Sequence, residues 1–317
     1  MSVLVYAETE GGKFKKAAFE VASYGKAVAD QLGVPVVAVA FNASDASTLG
    51  NYGISQVVTI SHEGKFDAKI YASGIEHVAQ KLAAEVIVVS SSADSRYLTP
   101  LLAISLDAGY ATNVVAAPSS LSPFTVKRSA FTNKAFAQTE INAEIKIVGV
   151  SSNAFGIIEN ETVCSVEDFS VTLAKSSVTV ESVDKATDKV TIADADVVVS
   201  GGRGLKGPEN WHLIEDLATT LGAATACSKP VSDMGWRPHS EHVGQTGKPV
   251  ASNLYIAIGV SGAIQHLAGI NSSKVKVVIN SDPEAPFFKA ADYGIVGDAF
   301  EVVPQLIEKL KAFKANA

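Results

Sequence analysis

Short apolar runs alternate with amphipathic stretches along the first third of the chain. The runs are rich in Val and Ile, and such continuous apolar runs are typical of strands that helices cover on both faces. Two longer stretches between them place apolar residues at helical spacing. This alternation predicts a parallel sheet with right-handed crossovers. The predicted strands are Val3–Ala7, Val34–Phe41, Gln56–Ile60 and Val86–Ser90, and the predicted helices are Lys15–Leu32 and Asp67–Ala84.

The hydrophobic pattern changes near Ser119. The stretches Thr125–Thr132 and Thr139–Val148 tend to alternate apolar and polar residues. A period of two is typical of strands with one solvated face, and it predicts antiparallel pairing. We therefore expect antiparallel strands to be added to the βα sheet.

A polar stretch, Ser176–Lys189, separates this part of the chain from a second βα series. It is charged and poor in bulky apolar residues, as an edge strand or a linker would be. We place a domain boundary inside it, near Ala186. The prediction is an N-terminal α/β domain over residues 1–185 and a second domain over residues 186–317.

The second βα series contains five strand-like runs with helical stretches between them. This pattern predicts a doubly wound parallel sheet, in which ligands bind at the carboxyl ends of the strands near a topological switch point. The predicted strands are Ala195–Ser200, Ala223–Cys227, Leu254–Val260, Lys274–Asn280 and Tyr293–Val296, and the predicted helices are Glu209–Leu221, a start at Gly262–Leu267, and Val302–Phe313.

Charge and apolar run length narrow the function classes. The formal net charge is −7 and there is no compensating basic stripe, which disfavours binding to nucleic acid. No apolar run reaches the roughly 18 residues that a membrane-spanning helix needs. The chain starts directly with a strand-like run and carries no signal or transit pattern, so we expect a cytoplasmic, prokaryotic protein.

The two cysteines, Cys164 and Cys227, form neither a CxxC motif nor a Cys/His cluster. This excludes a disulfide framework and argues against a structural zinc site. We expect both to be buried apolar residues, with a reactive thiol as the alternative.

The first candidate for chemistry is a glycine-rich loop after the first strand of the second series. Gly202, Gly204 and Gly207 match G-x-G-x-x-G, which lets the backbone approach an anion where a helix begins. An NAD site would need an acidic residue at the end of the next strand, and Ala224–Lys229 contains none. A loop that merely turns tightly would be equally rich in glycine. Arg203 in this turn suits a phosphate or an electron-rich ring, or it faces solvent.

The second candidate is the segment Val243–Lys248. Two glycines flank Gln245 and Thr246, which offers backbone N–H groups and a hydroxyl in one compact turn. The spacing does not fit G-x-x-x-x-G-K-[ST], so ATP hydrolysis is not predicted. A plain surface turn is the alternative.

The third candidate lies in Ile256–Gly269, where a buried strand leads into a helix. Ser261 is at an N-cap-like position, and Gly262 would allow close approach of a pyrophosphate to the helix. His266 follows about one turn into that helix, beside a potential ligand or as an ordinary core or surface histidine. A G-x-S-x-G hydrolase motif would need glycine at Ala263, so an acyl-transfer hydrolase is disfavoured.

Two further polar residues, Asn280 and Asp298, follow later strands at their carboxyl ends. Taken singly they are turn-formers. Together with the three loops above, they place polar, glycine-lined segments at four consecutive strand ends on one edge of the predicted sheet. This shared edge predicts one ligand site.

Five segments occur in the same order in the alpha subunit of electron-transfer flavoproteins, and the chain resembles that family closely over roughly residues 195–315. The first 185 residues resemble it in length and βα style. The segments are Ser200–Lys206, Gly244–Lys248, Ser261–Gly269, Ile279–Pro286 and Ala291–Asp298.

The resemblance implies a heterodimer in which this subunit carries FAD and a beta subunit completes the site, usually holding AMP. It also implies an electron carrier rather than an enzyme. Such a carrier accepts electrons from dehydrogenases, such as the acyl-CoA dehydrogenases of fatty acid oxidation. It passes them to a membrane quinone oxidoreductase or another acceptor.

For the flavin half of FAD, the resemblance assigns roles to matching positions. Arg203, Ser228 and the residue after Ser228 approach the flavin and its linker. Gln245 and Thr246 lie along the isoalloxazine ring, with the Thr hydroxyl reaching N5. His266 is directed to the C2 carbonyl, where a donor or cation would favour the negative charge that reduction places on that edge.

For the rest of the cofactor, Ser261 to His266 cover the phosphates and the ring, and Asn280 and Asp298 hold the adenosine half. The complete set of FAD-binding residues expected from the resemblance is Arg203, Ser228, Lys229, Val243, Gly244, Gln245, Thr246, Ser261, Gly262, Ala263, Ile264, Gln265, His266, Asn280, Asp298 and Ala299.

One position departs from the family pattern, which commonly has Arg where this chain has Lys229. An ammonium group cannot stack or fork as a guanidinium does, so we expect an effect on flavin potential rather than on binding. Trp236, His239 and His242 also depart and receive no role. The alternatives are an NAD-dependent dehydrogenase of the doubly wound class and a nucleotide-binding assembly subunit without a redox role.

Overall fold

The computed structural model describes residues 1–131, 133–183, 191–192 and 195–316. The chain divides into two compact units, formed mainly by residues 1–184 and mainly by residues 185–317. The predicted boundary near Ala186 falls in the segment 184–190, outside the described residues. The described part of the polar stretch, Ser176–Val183, contains neither helix nor strand.

A mixed sheet forms the centre of the first unit. The described strands of this unit are β1 (Ser2–Tyr6), β2 (Thr9–Glu10), β3 (Lys13–Phe14), β4 (Val36–Phe41), β5 (Gln56–Ile60), β6 (Ala84–Ser90), β7 (Gly109–Val114), β8 (Ser120–Leu121), β9 (Phe124–Ala130), β10 (Ala135–Ile141), β11 (Lys146–Val150) and β12 (Ser165–Asp168). The order across the sheet is β10-β9-β7-β11-β6-β1-β4-β5-β12, with β8 beside β9, while β2 and β3 form a separate ribbon. Pairing is parallel from β7 to β12 along this order, and β9 pairs antiparallel with β7 and β8.

Helices cover both faces of this sheet. They are α1 (Lys16–Leu32), α2 (Ala68–Lys81) and α3 (Ala93–Ser105). Val3 and Val5 of β1 pack with α1, whereas Leu4 and Tyr6 pack with α2 and α3. Because successive side chains of a strand point to opposite faces, two covered faces require the continuous apolar run seen in the sequence.

The prediction for Thr139–Val148 was wrong. This stretch is not one antiparallel strand, since β10 ends at Ile141 and β11 begins at Lys146. β11 pairs parallel with β6 and β7, and its Ile147 and Val148 are fully buried. The apparent alternation arose because two strands with different surroundings were read as one. The predicted strand at Thr125–Thr132 is found as β9, with Thr132 outside the described residues.

A five-stranded parallel sheet forms the second unit, and the predicted doubly wound fold is confirmed. The strands are β13 (Val197–Gly201), β14 (Ala224–Cys227), β15 (Leu254–Ile258), β16 (Val275–Asn280) and β17 (Tyr293–Val296), and the helices are α4 (His212–Leu221), α5 (Lys229–Asp233), α6 (Ile264–Ile270) and α7 (Ala299–Ala315). The order of the strands across the sheet is β14-β13-β15-β16-β17.

The two faces of this sheet bury separate clusters. One cluster joins Val199 and Ile256 to residues of α4 and α7, and the other joins Val198 and Tyr255 to α6 and Phe287. The strand ends lie between these layers, which is the usual position of a ligand in this class of fold.

The expectation that both cysteines are buried is met only in part. Cys227 is buried, whereas Cys164 is half-buried, and both are free thiols. The described residues contain no group of three or more potential metal ligands and no helix that is long and apolar enough to cross a membrane.

Candidate functional site

A cavity of about 600 Å³ opens at the carboxyl ends of β13, β14, β15 and β16. This volume is within the range of small-molecule sites, which is roughly 300–1,000 Å³. Most of the predicted site residues line it. They are Arg203, Ser228, Lys229, Val243, Gly244, Gln245, Thr246, Ser261, Ala263, Gln265, His266 and Asn280.

Four predicted residues are not part of the lining. Gly262 has a φ of 83°, and a Cβ there would meet the backbone nitrogen of Phe287 at 2.5 Å. Ile264 is 67% exposed. Asp298 caps α7 by accepting a backbone N–H two residues on, and Ala299 begins that helix. Contact of these four residues with FAD stays a prediction.

The first glycine-rich loop turns tightly against a neighbouring loop. A Cβ on Gly204 would lie 2.6 Å from the Cα of Gly259, and a Cβ on Gly202 would overlap the Gly259 carbonyl. The Gly204 N–H donates to that carbonyl at 3.1 Å. The loop continues as a 3₁₀ turn at Arg203–Leu205 rather than as an α-helix. Close packing of two backbones therefore accounts for both glycines.

His242 packs inside the loop 243–248. A Cβ on Gly244 would lie 3.3 Å from its Nε2, and a Cβ on Gly247 would lie 2.9 Å from its Nδ1. Two residues without side chains thus leave room for the imidazole, which is buried and lines the cavity. Burial lowers the pKa of His242, and the positive charge of Lys229 lowers it further.

Helix α6 holds the same loop from another side. A Cβ on Gly269 would lie 2.6 Å from the Cα of Gly244, so the helix and the loop meet at backbone distance. The Gln245 N–H donates to the carbonyl of Gln265 at 2.7 Å. These contacts involve main-chain atoms, and they place the Gln245 and Gly244 backbone at the cavity wall.

The prediction that Ser261 is the N-cap of this helix was wrong. The helix begins at Ile264, with Ala263 at the N-cap and no side-chain cap. Ser261 instead accepts the Phe287 N–H with its carbonyl at 3.1 Å and stays on the cavity wall. The positive φ of Gly262 turns the chain before the helix starts, which shifts the start along the sequence.

His266 offers a polar atom to a ligand. Its ring is 6% exposed, and its Nε2 is hydrogen-bonded to the Tyr255 hydroxyl at 2.9 Å. Its Nδ1 is buried and makes no hydrogen bond of normal geometry with the described residues, although the Val243 backbone is close enough to favour the protonated ring. Burial and then repulsion from His242 lower the pKa of His266 to about 4, with the Val243 backbone acting in the opposite direction. The ring is therefore neutral at pH 7, and its unpaired nitrogen is costly unless a ligand contacts it.

Both signs of charge are present at the cavity. Arg203 is exposed and forms no salt bridge with any described residue. Lys229 pairs with Asp233 at 3.2 Å, and both side chains are largely solvent-accessible. Such pairs contribute little, about 0–1 kcal/mol, so the ammonium can turn towards an anion. The Asp282 carboxylate accepts a hydrogen bond from the backbone N–H of Glu284 at 2.9 Å. The two cations thus leave the site able to accept an anionic ligand.

Sequence reasoning missed several lining residues. His242 received no role, although it directly precedes the predicted Val243 and could have been included on that ground. Several others follow predicted strands by one to six residues. Only this position near a strand end could have indicated that they line the site. Gly204 belongs to the first candidate loop but was not in the expected FAD-binding set, and the other lining residues outside that set are Pro230, Asp233, His242, Gly259, Val260, Asp282 and Ala285.

Comparison with known proteins places the chain in a family. Residues 3–187 match the model of the electron transfer flavoprotein domain, and residues 191–271 match the electron transfer flavoprotein FAD-binding domain. Among curated proteins, the electron transfer flavoprotein subunit alpha of Syntrophomonas wolfei is 33% identical over 97% of this chain and 98% of the relative. The subunit of the same name from Bacillus subtilis is 34% identical over 99% of each chain, and that from Pseudomonas aeruginosa is 34% identical over 96% and 99%.

A parallel sheet with a cavity at its strand ends is the arrangement in which proteins of the doubly wound class bind nucleotide cofactors. The chain belongs to the electron transfer flavoprotein family, as an alpha subunit. Its cofactor is FAD, it is an electron carrier rather than an enzyme, and alpha subunits of this family pair with a beta subunit.

Proposed function

We propose that FAD occupies the cavity at the strand ends of the second unit, and that this subunit transfers electrons through the flavin bound there. The supporting observation is the unpaired Nδ1 of the buried His266. This atom lies in the wall of a cavity whose lining residues are mostly those that the family resemblance assigns to FAD. A neutral imidazole with one free nitrogen fits a polar ligand atom, and the glycine-lined walls admit a flat ring.

The residues of the cavity fit FAD in three ways. The exposed Arg203 and Lys229 offer positive charge to the pyrophosphate or to the flavin edge. The loop 243–248 presents the Gln245 and Thr246 side chains to the ring, and Asn280 lies at the end nearer β16. When bound, FAD supplies the redox chemistry, because its ring accepts and releases electrons.

This chain's own contribution is binding, orientation and electrostatics. We assign to His266 a hydrogen bond to the N1–C2=O edge of the flavin, which favours negative charge there. Arg203 and Lys229 act in the same direction as cations. The buried wall of Val243 and Val260 keeps water from one side of the ring. Each of these effects favours acceptance of an electron by bound FAD.

The physiological setting forms part of the same proposal. The beta subunit completes the site and holds AMP. Donors are dehydrogenases such as the acyl-CoA dehydrogenases of fatty acid oxidation, and the acceptor is a membrane quinone oxidoreductase or a protein of similar role. We place the complex in the cytoplasm of a prokaryotic cell, which cell fractionation would test.

The experiment is co-purification of the subunit with its beta partner, followed by titration with FAD. We expect an oxidised-flavin absorbance spectrum that dithionite bleaches. His266→Gln should keep FAD but make its midpoint potential more negative, because the donor position changes. His212→Gln, at an exposed position on α4 that does not line the cavity, is the matched control.

Two results would contradict the proposal. One is a colourless complex that cannot be reconstituted with FAD. The other is an unchanged potential in the His266 variant, which would remove that residue from the flavin site.

A further inference from the structure

The hydroxyl of Tyr255 is the partner of the His266 ring inside the second unit. Tyr255 lies on β15 and is fully buried, and its hydroxyl is 2.9 Å from Nε2 of His266. Phe287 packs beside both rings, parallel to Tyr255 at 6.5 Å and tilted against His266 at 6.1 Å between ring centroids. The His266 ring lines the cavity and the other two rings pack against it, so the orientation of the imidazole is set by packing as well as by the hydrogen bond.

The proton in this hydrogen bond belongs to the tyrosine. Burial raises the pKa of Tyr255, so its hydroxyl stays protonated at any physiological pH. A buried hydroxyl that does not donate leaves its proton without an acceptor, which costs about 1–3 kcal/mol. Donation to Nε2 avoids that cost. If Nε2–H donated to the tyrosine instead, the Tyr255 proton would need a second acceptor. The Ser200 hydroxyl is close enough to lower the pKa of Tyr255 slightly, but it makes no hydrogen bond with any described residue, so the bond to Nε2 is the one that the geometry supports.

The imidazole has one proton to place. With a pKa near 4, His266 is neutral at pH 7, and a neutral imidazole carries its proton on one nitrogen only. If Nε2 accepts from Tyr255, the proton must be on Nδ1. Nδ1 is the atom that has no hydrogen-bond partner among the described residues. The ring then presents a donor, not an acceptor, to whatever fills the cavity.

We propose that Tyr255 is a positioning residue that holds His266 in the Nδ1–H tautomer and so makes it a hydrogen-bond donor to the flavin. This inference rests on the proposed function of the cavity. As a donor, Nδ1–H favours negative charge on the carbonyl edge of the flavin. The other tautomer would place the Nδ1 lone pair against that edge and disfavour negative charge there. Tyr255 would thus act on the potential of FAD without contacting it.

The test uses the complex with its beta subunit, labelled with ¹⁵N-histidine. Two-bond ¹H–¹⁵N correlation spectra distinguish the two tautomers, and His266→Gln assigns the resonance. We expect the Nδ1–H pattern in the wild type, with and without FAD. In Tyr255→Phe, which keeps the ring that packs on Phe287, we expect a mixture of tautomers.

The potential gives a second readout. Loss of the oriented donor should weaken the preference for reduced over oxidised flavin by up to about tenfold, which is about 59 mV for one electron. Tyr293→Phe removes a hydroxyl at an exposed position, 68% accessible, on the edge strand β17 and is the matched control. It should change neither the tautomer nor the potential.

The outcomes separate this inference from the proposed function. An Nε2–H pattern in the wild type would overturn the inference even if FAD binds. So would a Tyr255→Phe complex whose tautomer and potential equal those of the wild type. A wild-type complex that shows the Nδ1–H pattern but never binds FAD would support the tautomer assignment and reject the function of the cavity.

Discussion

Replacing Gly269 by Ala tests how α6 positions the cavity wall. The added Cβ would lie 2.6 Å from both the Cα and the nitrogen of Gly244, and 2.9 Å from its carbonyl carbon. Ordinary contacts of a Cβ begin near 3.4 Å. The helix and the loop 243–248 must therefore move apart by roughly 1 Å, because none of the clashing atoms is a flexible side chain.

Two opposing terms set the effect on stability. Overpacking of this kind costs about 1–3 kcal/mol. Alanine in a helix interior is favoured over glycine by about 1 kcal/mol, which offsets part of that cost. The free energy of unfolding should fall by about 0–2 kcal/mol. The moving loop carries Gln245 and Thr246, and loss of one hydrogen bond to FAD should weaken its binding by up to about tenfold.

The assay is FAD titration of the complex with its beta subunit, with urea unfolding measured in parallel. Gly222→Ala is the control. Gly222 ends α4 with a φ of 68° and has no atom within 4 Å of an added Cβ. It should lose about 1–2 kcal/mol of stability to backbone strain while keeping the wild-type affinity for FAD. If Gly269→Ala binds FAD as tightly as wild type, backbone contact with α6 does not position the loop.

Three further predictions concern stability and reactivity. The folded His266 takes up a proton only near pH 4, whereas the unfolded ring does so near 6.5, so the unfolded state binds more protons between these values. Stability should therefore fall as the pH is lowered through this window, by on the order of 3 kcal/mol in urea unfolding, and His266→Gln should flatten that dependence. The buried Glu8 accepts hydrogen bonds from three serine hydroxyls and contacts Lys15 at 3.4 Å, so Glu8→Gln should destabilise the first unit by about 1–3 kcal/mol while the exposed Glu161→Gln does not. Burial raises the pKa of Cys227 to about 12, so a thiol reagent should modify it only in urea, and rapid labelling of native Cys227 would contradict its burial.

Helices and strands could be predicted from the sequence where the local hydrophobic pattern alone determines the structure. Val3–Tyr6 of β1 and the whole of β4 are continuous apolar runs because helices cover both faces, and such runs predict strands even when no partner strand is known. β11 is different. Its burial depends on pairing with β6 and β7, which lie far away in sequence, and no local period reports such a contact.

The location of the candidate site in the fold could be predicted from the sequence, but the contacts between its residues could not. Strand ends with glycine and polar residues mark an edge of the sheet, so Gln245 and His266 could be named in advance. The sequence does not tell that Gly269 meets Gly244, or that His242 fits between two glycines. The role of Tyr255 could not be predicted either, because in a buried apolar strand the sequence does not distinguish a tyrosine that donates a hydrogen bond from one that only packs.

Photochemical labelling tests the central claim, that FAD occupies this cavity, most directly. FAD with an azide on the isoalloxazine ring is bound to the complex, irradiated, and the labelled peptides are identified by mass spectrometry. We expect the label on the segments that carry Gln245, Thr246 or His266, and we expect unmodified FAD to compete with it. Competed labelling confined to the first unit would contradict the account.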